Sequence, residues 1–86
     1  MSEERIGVVD HWYGGISVAG VKVTGAKLSV GDDVHFSGHT TDFVTKVSSM
    51  QIDHESVLDA VDGDQVGIKV PQRARVGDEV FLVRGD

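Results

Sequence analysis

The sequence predicts an all-β fold, a small barrel or sandwich of short strands, and three observations support this. Apolar and polar residues alternate far more often than apolar residues recur at helical spacing, and Val, Ile and Thr are frequent. Turn signals, many of them supplied by the eleven glycines, recur at intervals of about 8–12 residues. Nearly the same four-residue motif also occurs three times, as GDDV at 31–34, GDQV at 63–66 and GDEV at 77–80. We call these three motifs the Gly-Asp words.

Size and composition limit what this fold can do. The 86 residues suffice for a single domain, residues 1–86 with a core from about 6 to 83. Cysteine is absent, which excludes disulfides, thiolate metal sites and a cysteine nucleophile. The net charge of −6 disfavours general nucleic-acid binding, because phosphate contacts need a basic surface. The first residues lack the apolar run of a signal peptide and no stretch reaches membrane-spanning length, so we expect a cytoplasmic location and no membrane contact.

Alternation and turn residues place six strands along the chain. A bulge is expected at Gly20, where the apolar pattern of the second strand shifts. The fourth strand is predicted to be the longest, with Val44, Met50 and Ile52 in the core. The expected strands are residues 5–12, 16–24, 34–37, 43–52, 65–70 and 79–84.

The segment HESVLDA at 54–60 interrupts the strand pattern. Ser56 is a residue type that caps helices, and Val57 and Leu58 follow it as apolar residues that can pack inward. One helical turn is therefore expected here.

The three Gly-Asp words are predicted to be turns that deliver the chain into a strand. Glycine supplies a positive φ, aspartate bonds back to a nearby amide, and the valine is the first residue of the new strand to point inward. A cation site would need several oxygens that converge on one point, as in an EF-hand loop, and no single stretch supplies them. The words therefore define the fold and carry no chemistry of their own.

The order and spacing of the Gly-Asp words resemble the sequence pattern of a known protein family. The segments VTGAKLSVGDDVHFSG, VLDAVDGDQVGIKV and RVGDEVFLV look like domain two of the translational GTPases, of which elongation factor Tu is an example, and the likeness covers about residues 6–83. The segment HTTDFVTKVSSMQIDH resembles short elongation-factor-like proteins and, more distantly, the tail domain of a peptidase family. The resemblance implies a closed six-stranded β-barrel, and in that family one barrel face receives the tRNA end.

The GTPase chemistry of that family is not expected in this chain. Residues 20–28, GVKVTGAKL, imitate a phosphate loop, but Ala26 stands where the lysine is needed and Leu28 where a hydroxyl should bind magnesium. The surrounding β-branched residues predict a strand. No GTP binding and no cofactor are therefore expected.

A catalytic or metal site is also not expected. His35, His39 and Asp42 are the one His/His/Asp combination close in sequence, yet no fourth ligand is evident and the two histidines need not face the same way. No serine has a convincing His/Asp partner in the sequence. Ordinary surface histidines explain the pattern better than a zinc site, and the chain is not expected to be an enzyme.

Two places are candidates for recognition. Trp12 and Tyr13 are the only Trp and the only Tyr, and alternation puts them on opposite faces, so one ring can serve as a stacking platform. The favoured alternative is that Trp12 fills a barrel end while Tyr13 covers a strand edge. The second candidate is the polar loop His39, Thr40, Thr41 and Asp42, for which an Asp/Thr-stabilised hairpin turn is the favoured alternative.

Two functions remain open at this point. The first is a non-catalytic, translation-related binding module that docks a tRNA-like RNA end or a protein partner through one barrel face. The second is a protein-binding adaptor or accessory subunit of a separately encoded enzyme, without RNA contact. Salt-dependent binding to tRNA distinguishes them.

Overall fold

The computed structural model describes residues 2–85 and shows an all-β fold, as predicted. The described residues contain no helix, and hence none long and apolar enough to cross a membrane. The strands are β1 (Ser2–Tyr13), β2 (Val18–Val23), β3 (Leu28–Ser29), β4 (Asp33–Ser37), β5 (Asp42–Lys46), β6 (Met50–Ile52), β7 (Glu55–Val57), β8 (Asp59–Ala60), β9 (Gln65–Lys69) and β10 (Glu79–Arg84).

Eight strands form one antiparallel sheet in the order β5-β4-β10-β1-β2-β9-β6-β7, and β3 pairs with β8 in a separate ladder. The expected closed six-stranded barrel is wrong: the described sheet has eight strands and does not close, so β5 and β7 remain as its edges. The sheet is nevertheless strongly curled. Only residues 47–49 join β5 to β6, a link of at most about 14 Å, although six strand spacings would separate these strands by about 29 Å in a flat sheet.

The predicted long strand at 43–52 is broken into β5 and β6. At the break, the amide of Val47 donates to Asp32 O and its carbonyl accepts from Gly31 N, both at 2.8 Å, so the chain turns around the first Gly-Asp word. Phe43 and Val47 are buried, whereas Val44, predicted in the core, is 58% exposed. Met50 is buried as predicted.

The helical turn predicted at 54–60 is wrong. This segment forms β7 and β8, because Val57 pairs with Met50 across a two-residue hairpin and packs against the core. Leu58 is 75% exposed. Hairpin pairing and packing against the core have overridden a weak local helix signal.

The bulge expected at Gly20 lies in the neighbouring strand. Gly20 pairs regularly with Gly67 of β9, while the register of β1 shifts between Val9 and His11, so that Asp10 is the extra residue. A second register shift lies between Arg5 and Gly7 in the pairing of β1 with β10.

The three Gly-Asp words are turns of one geometry, as predicted. Gly31, Gly63 and Gly77 have φ of 99°, 94° and 99°. In each word one carboxylate oxygen accepts from the amide three residues earlier, at 2.8–2.9 Å. The glycine amide donates to the main-chain carbonyl of a buried valine in another segment. The amide of that valine donates to the main-chain carbonyl of the aspartate. The valines concerned are Val47, Val23 and Val9, in the order of the words.

The core lies inside the curled sheet and consists of eighteen buried apolar residues. Each Gly-Asp word contributes its valine, and all three are at most 1% exposed: Val34, Val66 and Val80. The residue six positions before each of these valines is buried as well: Leu28, Ala60 and Ala74. The repeated words thus attach three separate segments to the core in the same way.

Candidate functional site

A groove crosses the outer face of β2, β9 and β6. Two adjoining cavities of about 210 Å³ and 220 Å³ form it. Both cavities are lined by four residues that join them into one depression: Ile16, Val18, Gln51 and Gly67.

The floor of the groove is backbone, because two glycines meet there. Gly20 lies opposite Gly67 in the β2–β9 ladder, and Gly67 lies opposite Gln51 of β6. A Cβ on Gly67 would approach Val18 Cγ1 to 3.1 Å, and one on Gly20 would approach His11 Cβ to 3.0 Å. Side chains at these positions would crowd the site, so glycine keeps the depression open.

Two hairpins border the groove. On one side the β1–β2 hairpin contributes Tyr13, 46% exposed, and Ile16, 60% exposed. On the other side the β6–β7 hairpin turns at Asp53 and His54, with φ of 51° and 66°. Two consecutive left-handed residues are typical of the type I′ turn that matches strand twist. Both hairpins are tight, so their side chains flank the floor at defined positions.

The polar groups of the groove are mostly uncharged. Gln51 and Gln65 lie along it, and the Gln65 amide donates to Asp10 Oδ2 at 2.8 Å. The ring of Tyr13 contacts that of His11 in a tilted arrangement, with centroids 4.2 Å apart and an interplanar angle of 40°. Lys69 is the one Lys or Arg among the described lining residues. The groove therefore offers apolar contact and amide hydrogen bonds, with little charge of either sign.

Two side chains of the groove, Ser49 and His54, are of types that occur in catalytic sites. Both line the groove, yet no hydrogen bond joins them within residues 2–85. No group of three or more His, Asp and Glu side chains in this range is placed to hold a metal ion.

The structure separates the two recognition sites proposed from sequence. Tyr13 lines the groove, whereas Trp12 turns inward and packs against the core. His39 and Thr40 are exposed on the β4–β5 hairpin, and Thr41 is buried at 5% exposure. None of the loop residues 39–42 lines the groove.

Several groove residues were not singled out from the sequence. Ile16 follows a Gly-Gly turn, and its exposure is not evident from alternation alone. Gly20 and Gly67 each stand inside a strand, where glycine often marks a close approach to a ligand or to another backbone. That they face each other is a property of the strand register, which residues 47 positions apart in sequence do not reveal.

His35, Glu3 and Asp42 form an ion-paired cluster whose geometry does not suit a metal ion. The Nδ1 atom of His35 lies 3.0 Å from Glu3 Oε1, and Nε2 lies 2.5 Å from Asp42 Oδ1. The carboxylates occupy opposite sides of the ring, so their oxygens do not converge on one ion. His39 makes no contact with the cluster in the described structure. The hydrogen bond with Glu3, and next the one with Asp42, raises the pKa of His35 above 6.5.

Solved structures share this fold. The chain superimposes on the C-terminal domain of a Geobacillus thermoleovorans protein assigned to the U32 peptidases, with a TM-score of 0.86 and 18% identity over 94% of this chain and 93% of that domain. The selenomethionine variant of that domain gives a TM-score of 0.83 and 19% identity, over 90% and 96%. At this identity the likeness concerns the fold alone.

The chain also has a relative that is similar in sequence. The chain is 39% identical over 81 residues to an uncharacterized protease of Methanocaldococcus jannaschii. The match covers 93% of this chain but 20% of that protein, so the chain spans about one fifth of the length of its curated relative. No family model matches the chain.

These comparisons correct the resemblance drawn from the Gly-Asp words. The chain is similar to a protease and to peptidase C-terminal domains, so its identification as an elongation-factor-like, translation-related protein is wrong. The Gly-Asp words led to the wrong family for a physical reason. They specify where a curled sheet turns and re-enters its ladder, and any domain that turns at these points can use them.

Proposed function

We propose that this domain is a non-catalytic protein-binding module that holds an extended segment of a partner protein in the groove across β2, β9 and β6. The observation that carries the proposal is the open backbone floor at Gly20 and Gly67 beside the exposed side chains of Tyr13 and Ile16. An extended peptide can reach such a floor with its main chain and place apolar side chains against the rim.

The composition of the groove favours protein over RNA. Aromatic and aliphatic anchors with neutral amides around them are typical of protein interfaces. An RNA end brings phosphates, whose binding needs several cations, and Lys69 is the sole Lys or Arg among the described lining residues. The net charge of −6 adds a repulsive field.

The comparisons suggest the class of partner. A chain that matches one fifth of a protease and adopts the fold of a peptidase C-terminal domain fits the role of an accessory module beside a peptidase-related catalytic unit. The module would contribute binding of a segment of that unit, and catalysis would belong to the unit itself.

The proposal is tested by selecting peptides from a displayed library of unstructured sequences and measuring their affinity for the purified domain. We expect dissociation constants of roughly 1–100 μM. Tyr13→Ala and Ile16→Ser should each weaken binding by about tenfold, since each removes a rim anchor.

Leu58→Ser is the matched control, because Leu58 is an apolar side chain even more exposed than Ile16 and does not line the groove. Its affinity for the peptides should equal that of the wild type. Peptides that bind all three variants alike would contradict the proposal, as would salt-dependent tRNA binding that Tyr13→Ala abolishes in the absence of any peptide binding.

A further inference from the structure

Strand β5 is an unpaired edge of the eight-stranded sheet. Within residues 2–85 it pairs with β4 alone. The opposite edge, β7, has three residues, whereas β5 has five and contains no proline. Edge strands present a row of free N–H and C=O groups that can pair with another chain.

The main-chain groups that point outward from β5 follow from the bonds at its ends. Thr41 O accepts from Gly38 N, and Val47 exchanges two bonds with residues 31 and 32, so the odd-numbered residues direct their groups toward β4. In an antiparallel ladder this direction alternates from residue to residue. Asp42, Val44 and Lys46 therefore direct their N–H and C=O groups away from β4, toward the open edge.

We propose that β5 pairs antiparallel with β5 of a second copy of this chain, around a two-fold axis at Val44. The sequence Asp42-Phe43-Val44-Thr45-Lys46 is self-complementary in that register. Val44 lies opposite itself, and Asp42 lies opposite Lys46 of the second copy at both ends. The outward groups then form about six main-chain hydrogen bonds, and the interface is isologous, so it closes as a dimer.

The side chains of β5 are arranged to accept this partner. Asp42 contacts His35 through Oδ1, and the structure describes no contact of its Oδ2, which is available to Lys46 of the second copy. Lys46 lies 3.2 Å from Asp33 of its own chain, so pairing would place it between two carboxylates. Opposite charges on facing strands stabilise a ladder, and like charges destabilise it.

The outer face gives a second reason for the register. Val44 is 58% exposed and lies opposite His35, which lies opposite the partly buried Phe81 of β10. Pairing at Val44 would join the two copies of this row across both sheets, with Val44 facing Val44 at the junction. The exposed Val44 side chain would then be covered by its counterpart.

Sedimentation equilibrium of the full chain tests the proposal by charge exchange. We expect a wild-type dimer and a self-association constant reduced about tenfold or more in Lys46→Glu and in Asp42→Lys, because each places like charges opposite one another twice. The double variant D42K/K46E should recover the dimer. Lys69→Glu, with the same charge change on the inner strand β9, should leave it unchanged.

Val44→Pro gives an independent test that does not depend on charge. The Val44 amide points away from β4, so proline is compatible with the monomer fold but removes the hydrogen bonds at the axis and should abolish the dimer. Circular dichroism verifies that each variant is folded. A wild-type monomer at roughly 1 mM chain, a folded double variant that stays monomeric, or a dimer that survives Val44→Pro overturns the proposal.

Discussion

His35 is held by two carboxylates from different strands, Glu3 on β1 and Asp42 on β5. Each ring nitrogen contacts one of them, so both contacts are charge-assisted hydrogen bonds only when the ring is protonated. The side chain is 21% exposed, which limits screening by water. The protonated ring thereby ties the first residues of β1 to the β4–β5 hairpin.

The raised pKa of His35 makes the free energy of unfolding depend on pH. Because the folded-state pKa lies above 6.5, this contribution is fully present below the ordinary pKa and is lost as pH rises through the folded-state pKa. His35→Gln lacks it at every pH. We expect the difference between wild type and His35→Gln in urea unfolding to be largest below pH 6.5 and to shrink as the pH rises through the folded-state pKa.

The control for this pH dependence is Asp42→Asn, which removes one of the two causes of the raised pKa. It should move the decline toward lower pH without removing it, since Glu3 still contacts the ring. A wild-type advantage that stays constant or grows with rising pH would show that the protonated ring does not stabilise the fold.

At the scale of elements, the β4–β5 hairpin rests on the third Gly-Asp turn. Asp78 is 5% exposed, and its Oδ2 accepts from Arg75 N at 2.8 Å. Gly38 lies so close that an added Cβ would overlap Asp78 Oδ1. The absence of a side chain at Gly38 therefore lets the hairpin pack on a carboxylate that is already fixed within its own turn.

A double-mutant cycle measures this contact between elements. Gly38→Ala should destabilise the domain by about 1–3 kcal/mol, because the overlap forces the Asp78 carboxylate out of its place. Asp78→Ala alone should cost a similar amount, since the partly buried hydrogen bond from the Arg75 amide loses its acceptor. In the double variant the cost of Gly38→Ala should largely vanish. Equal costs of Gly38→Ala in both backgrounds, measured by urea unfolding, would contradict the proposed contact.

Five of the six predicted strands correspond to single strands of the structure, because their signals are local. The Gly-Asp words set where strands begin, and alternation set which side chains point inward. The break at 47–49 was not predictable, because Val47-Ser48-Ser49-Met50 continues a plausible strand pattern and its bend comes from bonds to residues 31 and 32. β7 was missed for a similar reason, since Val57 finds its partner through the hairpin with β6. β3 and β8 were missed because, within residues 2–85, they pair only with each other, and they lie far apart in the sequence.

At the scale of the whole molecule, the curl of the sheet separates two surfaces. The groove lies over β2, β9 and β6, whereas His35 and the open edge lie at β4 and β5. Of the site residues predicted from sequence, Tyr13 belongs to the groove and the loop at 39–42 to the other surface. The sequence identified Tyr13 as a candidate for an exposed aromatic ring. The groove floor beside it could not be predicted, because it depends on the pairing of Gly20 with Gly67 between two strands that are far apart in sequence.

The most direct test of the groove is chemical-shift mapping of ¹⁵N-labelled domain titrated with a peptide selected for binding. We expect the backbone amide signals of Gly20, Gln51 and Gly67 to shift most, followed by those of Ile16 and Tyr13 at the rim. Addition of tRNA at the same concentration should shift none of them. Shifts confined to the loop at 39–42, or groove amides that respond to tRNA and not to the peptide, would contradict it.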